Sequence, residues 1–225
     1  MGKGIIKNLT LTKEGICSII YSKEDECPIC KMYSEEGYLC KECISKIRFC
    51  KNRYMLNQYN IEFKYYSIAY YTGNIKELIL RLKYKSDFHC GEILSSYMTS
   101  KIKEENIPCD ILTYVPMKRK SLRERGYNQS KCLAKNIGKE LNIPIITTLK
   151  KTENTKDQIG LNGIERWENI RGAFTAVNHD KFKNKKIILI DDVITTGATA
   201  FCCAEELLMA GAKEINILTA AKSNV

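Results

Sequence analysis

Two sets of side chains in this sequence have the types and spacing to do chemistry. In the run IILIDDVITTGATA, residues 187–200, Asp191 and Asp192 stand between branched aliphatic residues and Thr195, Thr196, Gly197, Ala198 and Thr199. If a strand passes through this run into a helix, the backbone N–H groups of the turn and first helical turn point outward and can bind a phosphate. The threonine hydroxyls add donors, and Gly197 has no side chain to block a close approach. The helix dipole gives an exposed anion only about 0.3–1 kcal/mol, so the cradle depends on several direct hydrogen bonds. Two carboxylates would repel that phosphate unless the ligand offers them something else. Vicinal hydroxyls suit a pure acceptor, and a divalent cation suits it too. A ribose 5-phosphate, with hydroxyls in the middle and phosphate at one end, meets both demands. A hydroxyl-rich helix cap with two solvated aspartates is the plainer alternative, and the buried strand before it and the helix after it argue against that.

The second set is CPICKMYSEEGYLCKEC, which spaces Cys27, Cys30, Cys40 and Cys43 as C-x2-C-x9-C-x2-C. Each pair can sit on a tight knuckle and offer two thiolates to one tetrahedral zinc ion. A segment of about 30 residues buries too little apolar surface to hold itself, whereas a structural zinc contributes on the order of 10 kcal/mol in isolated fingers. Redox thiols, an iron–sulfur cluster, or Cys17 or Cys50 in place of one ligand are the alternatives. Cys90, Cys109, Cys132, Cys202 and Cys203 read as small buried hydrophobes. Neither His89 nor His179 completes a nucleophile pattern, which makes the chain a poor candidate for Cys/His covalent catalysis.

Composition sets the frame. Eleven cysteines without a secretory leader point to a reducing compartment. No apolar run approaches the roughly 20 residues of a membrane helix, so a cytoplasmic protein without a transmembrane segment is expected. MGKGII has Ile6 where a myristoylation signal needs Ser or Thr. The formal charge of +10 is uneven, since residues 61–160 hold 18 basic and 11 acidic side chains while residues 161–225 are balanced. The densest basic stretch is MKRKSLRERGYNQS, with Lys118, Arg119, Lys120 and Arg123, a loop suited to nucleic acid or polyphosphate. A solvated charged face is the alternative there, and packing is the alternative to base stacking for Tyr65, Tyr66, Tyr70 and Tyr71.

The elements that must position these groups alternate after residue 65. SIAYY reads as a strand, and Ile75, Leu78, Ile79 and Leu82 mark one face of a helix begun at Thr72 or Asn74. A second helix, GEILSSYMTSKIKEE, is followed by a strand DILTYVP that stops at Pro116. A helix NQSKCLAKNIGKELN, a strand candidate IPII, a polar loop or flap over 147–162 and a short helix GIERWENIRG come next. AFTAV and KKIILI read as strands, AFCCAEELLMAGA as a helix and EINILTAA as a last strand. Alternation of this kind predicts an α/β fold, a mostly parallel sheet covered on both faces, with ligands at the carboxyl ends of the strands. A module over residues 1–60 and a domain over 61–225 are expected.

ILIDDVITTGATA resembles the motif with which type I phosphoribosyltransferases bind 5-phosphoribosyl-1-pyrophosphate (PRPP). Together with CPIC…CKEC, LKYK, VPMKRKSLRERGYNQS and TKDQIGLNGIERWENIRGAF in that order, it makes the chain similar to the ComF/ComFC competence-protein family over about residues 25–222. The resemblance implies a type I phosphoribosyltransferase-like sheet flanked by helices, with Asp191 and Asp192 on the ribose hydroxyls and Thr195 to Thr199 on the 5-phosphate. Pro116, Met117 and Lys118 would form the pyrophosphate loop, and Arg123 or Arg125 would reach the pyrophosphate. Catalysis would displace magnesium-bound pyrophosphate from the anomeric carbon, which assigns Asp191, Asp192 and Arg125 to the reaction and leaves the nucleophile to a second substrate. The resemblance also implies a role in DNA uptake, with single-stranded DNA and a machinery at the inner face of the membrane as partners. A phosphoribosyltransferase of nucleotide or amine metabolism without a DNA role is the alternative.

Overall fold

In the computed structural model, residues 26–34, 38–152 and 172–223 are described. The helix expected at GIERWENIRG and most of the 147–162 flap lie outside them. The chain divides into two compact units, Met1–Ser45 and Lys46–Val225, so residues 46–60 pack with the larger unit.

In the smaller unit, Cys27 to Cys30 form a turn in which the Lys31 N–H donates to the Cys27 carbonyl at 2.9 Å, with Lys31 at φ 66°. Glu26 and Tyr33 bridge across it. Helix α1, Lys41–Ser45, starts directly after Cys40 and carries Cys43 in its first turn.

The larger unit is built on a five-stranded sheet. Its strands are β1 (Tyr54–Gln58), β2 (Ile61–Tyr70), β3 (Ile111–Tyr114), β6 (Lys186–Ile194) and β7 (Glu214–Lys222), in the order β1-β2-β7-β6-β3. All neighbours are parallel except the β1–β2 hairpin. Strand β6 is an interior strand between β7 and β3, and Ile187, Ile188, Leu189 and Ile190 are all fully buried. A strand covered on both faces cannot alternate in polarity, which is why this run is continuously aliphatic.

Helices cover both faces, as the alternation predicts. Helix α2, Gly73–Lys85, α3, Phe88–Glu104, and α5, Gln129–Leu141, bury the stripes Ile75/Leu78/Ile79/Leu82, Ile93/Leu94/Met98 and Leu133/Ile137. Thr72 is the N-cap of α2, but its hydroxyl makes no cap bond. On the other face α7, Ala198–Met209, packs Phe201, Cys203 and Leu207 into a core with Phe63, Ile187, Leu189 and Ile217. Phe63 and Phe201 meet edge to face at 5.2 Å.

Four local differences from expectation have physical reasons. The basic stretch is not a loop: Arg119–Arg125 forms helix α4, closed by Gly126 at φ 81°, since Arg, Lys, Leu and Glu are good helix formers. IPII makes only one parallel bridge, Leu112 to Ile145. Within the expected flap, β4 (Leu149–Lys151) pairs antiparallel with β5 (Phe174–Ala176). The YMLNQ strand β1 was not anticipated, although Tyr59 and Asn60 at positive φ make a two-residue hairpin turn.

Candidate functional site

The acidic pair belongs to β6 itself, which runs through both aspartates to Ile194. Consecutive strand residues face opposite ways, and the two carboxylates accordingly have different partners. Asp191 Oδ1 accepts from Ser130 Oγ at 2.8 Å and from the Asp192 N–H at 2.9 Å. Asp192 Oδ1 accepts from the Val193 N–H at 2.9 Å, while Lys83 Nζ lies 2.5 Å from its Oδ2. Burial alone would pull Lys83 down, but the Asp192 carboxylate outweighs it and holds the ammonium above its ordinary pKa.

Neither Ser130 nor Lys83 was singled out from sequence. Ser130 follows an α5 N-cap, Asn128, whose Oδ1 accepts from the Lys131 N–H at 3.0 Å and whose Nδ2 donates to the Val115 carbonyl at 3.0 Å. That double tie fixes the start of α5 against the end of β3. Lys83 closes the α2 helix, where LKYK places a cation one residue after the buried Leu82.

Burial first, and the adjacent Asp192 second, push the Asp191 carboxyl up to about 7. An unfolded aspartate titrates near about 3.9. The folded chain therefore holds this proton more tightly, and the stability it contributes is present below about pH 4 and lost as pH rises through about 7. Scanning calorimetry should show Tm falling more steeply across that window in the parent than in Asp191→Asn. Parallel pH profiles would refute the assignment.

After β6 the chain turns through Thr195 and Thr196, both exposed, into Gly197 at φ 83°, the N-cap of α7. Thr196 Oγ1 lies 3.4 Å from the Ala198 N–H, and the Gly197 carbonyl accepts from the Phe201 N–H at 2.8 Å. A Cβ on Gly197 would lie 2.5 Å from Leu56 Cδ2. The bare glycine thus accommodates the protein's own β1 side chain at this point. Thr199 is partly exposed in the first turn of α7.

The segment after β3 holds Pro116, Met117 and Lys118, all partly exposed, ahead of α4. Arg119, Lys120 and Arg123 are exposed on that helix. Arg125 places its guanidinium 5.3 Å from the centre of the Tyr84 ring. Pro116, Met117 and Arg119 line a cavity of about 560 Å³.

In the smaller unit the four thiols come together: the Sγ atoms of Cys27, Cys30, Cys40 and Cys43 lie within 4.8 Å of one another. Tetrahedral thiolates at a Zn–S distance of about 2.3 Å would stand about 3.8 Å apart, and Cys30 and Cys40 Sγ are at 3.5 Å. Burial opposes ionisation of Cys27, but backbone N–H donors from Cys30, Cys40 and Ile29 outweigh it and bring the thiol down to about 6. The donor set fits a thiophilic metal ion such as zinc.

A mostly parallel sheet in which the interior strand β6 carries paired carboxylates near its end, ahead of a glycine-capped helix, defines an α/β protein. Its relatives sharpen this. The chain is 28% identical to Competence protein F of Haemophilus influenzae over 218 residues, 93% of this chain and 91% of that one. It is 26% identical to Competence protein ComFC of Streptococcus pneumoniae, covering 85% and 78% of the two chains. It is 24% identical to DNA utilization protein YhgH of Escherichia coli, covering 93% and 91%. The chain is similar to the ComF/ComFC competence proteins over most of its length. No family model matches it. Among solved structures it is similar to adenine phosphoribosyl transferase from Trypanosoma brucei, with 12% identity over 71% of this chain and 83% of that one and a TM-score of 0.45. No described helix is long and apolar enough to cross a membrane.

Proposed function

We propose that the chain binds PRPP with magnesium at the end of β6 and serves DNA uptake during natural transformation. The observation that carries the first part is the placement of Asp191 and Asp192 near the carboxyl end of the interior strand β6, just before the open turn and N-terminus of α7. Both carboxylates can accept from the ribose 2- and 3-hydroxyls, and Thr195, Thr196, Gly197, Ala198 and Thr199 supply donors for the 5-phosphate. Met117 and Lys118 stand on the pyrophosphate side. Magnesium, where bound, neutralises the leaving pyrophosphate's charge. The carboxylates fit that ion as oxygen donors, and Asp191 must give up its proton to join it.

Ser130 holds Asp191 in place. Lys83 pairs with Asp192 and offsets its charge until a ligand arrives. No nucleophilic side chain is needed, since an acceptor would attack the anomeric carbon. A zinc ion on Cys27, Cys30, Cys40 and Cys43 would hold the smaller unit together. The names of the relatives support the DNA role, with single-stranded DNA and a membrane-associated uptake machinery as partners at the inner face of the membrane.

The double variant Asp191→Asn, Asp192→Asn is expected to lose calorimetric binding of PRPP with magnesium while keeping its far-ultraviolet circular dichroism. Parent-like affinity in that variant would sink the site assignment. Pyrophosphate release in the presence of candidate acceptors separates a transferase from a binding protein.

A further inference from the structure

The cavity behind the segment after β3 is chemically distinct from the acidic site. It is lined by five cations, Arg119, Lys131, Lys135, Lys150 and Lys151, and by no carboxylate among the described residues. Asp191, Asp192 and residues 195–199 do not line it. Lys131 and Lys135 are one helical turn apart on α5, and Lys150 and Lys151 come from β4, so two elements turn charge of one sign onto one space. Lys131, Lys135 and Lys150 are exposed and make no ion pair among the described residues. Burial first, and the charge of Lys118 with it, hold Lys151 below the ordinary lysine value. A concave site that gathers cations without a counter-charge is completed by an anionic ligand.

The remaining walls specify the kind of anion. Phe88 and Tyr127, both in the lining, pack at 5.0 Å between ring centres. Tyr114 lines it too, with Lys131 Nζ 5.6 Å from its ring centre and its hydroxyl 2.7 Å from Thr147 Oγ1. Aromatic faces beside a row of cations suit a phosphate chain that carries flat bases. The volume, about 560 Å³, falls within the roughly 300–1,000 Å³ of sites that take molecules of nucleotide size. A bare inorganic phosphate would leave the aromatic wall unused.

We propose that this cavity is a binding site for single-stranded nucleic acid, with Lys131, Lys135 and Lys150 on successive phosphates and a base against the aromatic wall. The site is separate from the PRPP site and stands whether or not that site binds its ligand. It also places the strand contact chiefly on α5 and β4, with Arg119 at the start of α4 beside them.

The test measures anisotropy of a short labelled oligo(dT) on the full chain as salt is raised. Each phosphate neutralised on a single strand contributes about 0.7 to the slope of log affinity against log salt. Lys131→Ala, Lys135→Ala and Lys150→Ala combined are expected to make the slope shallower by about two, while PRPP titration is unchanged. Lys120→Ala with Arg123→Ala on α4 should leave the slope as in the parent, and the Asp191→Asn, Asp192→Asn variant should still bind the strand. Failure of the parent to bind PRPP would remove the phosphoribose reading and leave this one intact. An unchanged slope in the triple variant, or a flattened one in the α4 variant, overturns the proposal. Binding of dTMP as tight as that of the oligonucleotide, lost in the same triple variant, would make this a free-nucleotide site and also overturn it.

Discussion

Cys43→Ser and Cys27→Ser are each expected to lose the bound metal and to unfold the smaller unit. Among the described residues, its buried apolar side chains are Cys27, Pro28, Leu39 and Cys43. Four side chains at about 1.5–3 kcal/mol each cannot offset the ordering of some 20 residues at about 1–2 kcal/mol apiece. Metal coordination, worth on the order of 10 kcal/mol in isolated fingers, is the largest single contribution open to this unit. Elemental analysis of the purified variants should show the equivalent of zinc gone, and limited proteolysis should cut between residues 26 and 45 while the larger unit resists. A full equivalent retained by both variants would remove these two cysteines from the ligand set. A coloured protein with iron in place of zinc would favour a cluster.

The parts of this architecture that sequence revealed are those written in local periodicity or fixed spacing. The x2 intervals around Cys27–Cys30 and Cys40–Cys43 dictate two knuckles, and the structure brings the four thiols together. The uninterrupted Ile187–Ile190 run can only be a strand buried on both faces. The acidic pair and the α7 cap follow from it by simple continuation. What sequence concealed is every contact that closes over a long loop. Lys83 and Asp192 are paired through the packing of α2 on the sheet, and Ser130 reaches Asp191 only because Asn128 pins α5 to β3. No local rule connects residues so far apart. The basic stretch misled for a different reason. Its charge suggested a loop, while its side chains also favour helix, and α4 forms with no residue of its own buried. The cavity lysines were hidden likewise, being divided between α5 and β4, which were read as an ordinary helix surface and a flap.

The same interplay of local and distant constraints decides the largest expected effect within the larger unit, that of Gly197→Ala. Two penalties act together. An alanine at φ 83° costs about 1 kcal/mol or more, because its Cβ crowds the carbonyl in the left-handed region. In addition, that Cβ would meet Leu56 Cδ2 at 2.5 Å and Cδ1 at 3.3 Å, contacts that force Leu56 or the turn to move. Overpacking of this kind costs about 1–3 kcal/mol. If the turn moves, the N–H groups at the start of α7 lose their aim. PRPP affinity should then fall at least tenfold, about 1.4 kcal/mol, alongside a lower Tm. Leu56→Ala in the same chain separates the two terms. Removing Leu56 opens the space that the alanine needs, so the double variant should regain the steric part of the loss in a double-mutant cycle and keep the backbone part. Additive losses in the cycle would mean that Leu56 does not oppose a side chain at position 197. Parent-like binding and stability in Gly197→Ala would mean that neither the backbone angle nor the contact with β1 constrains the phosphate turn.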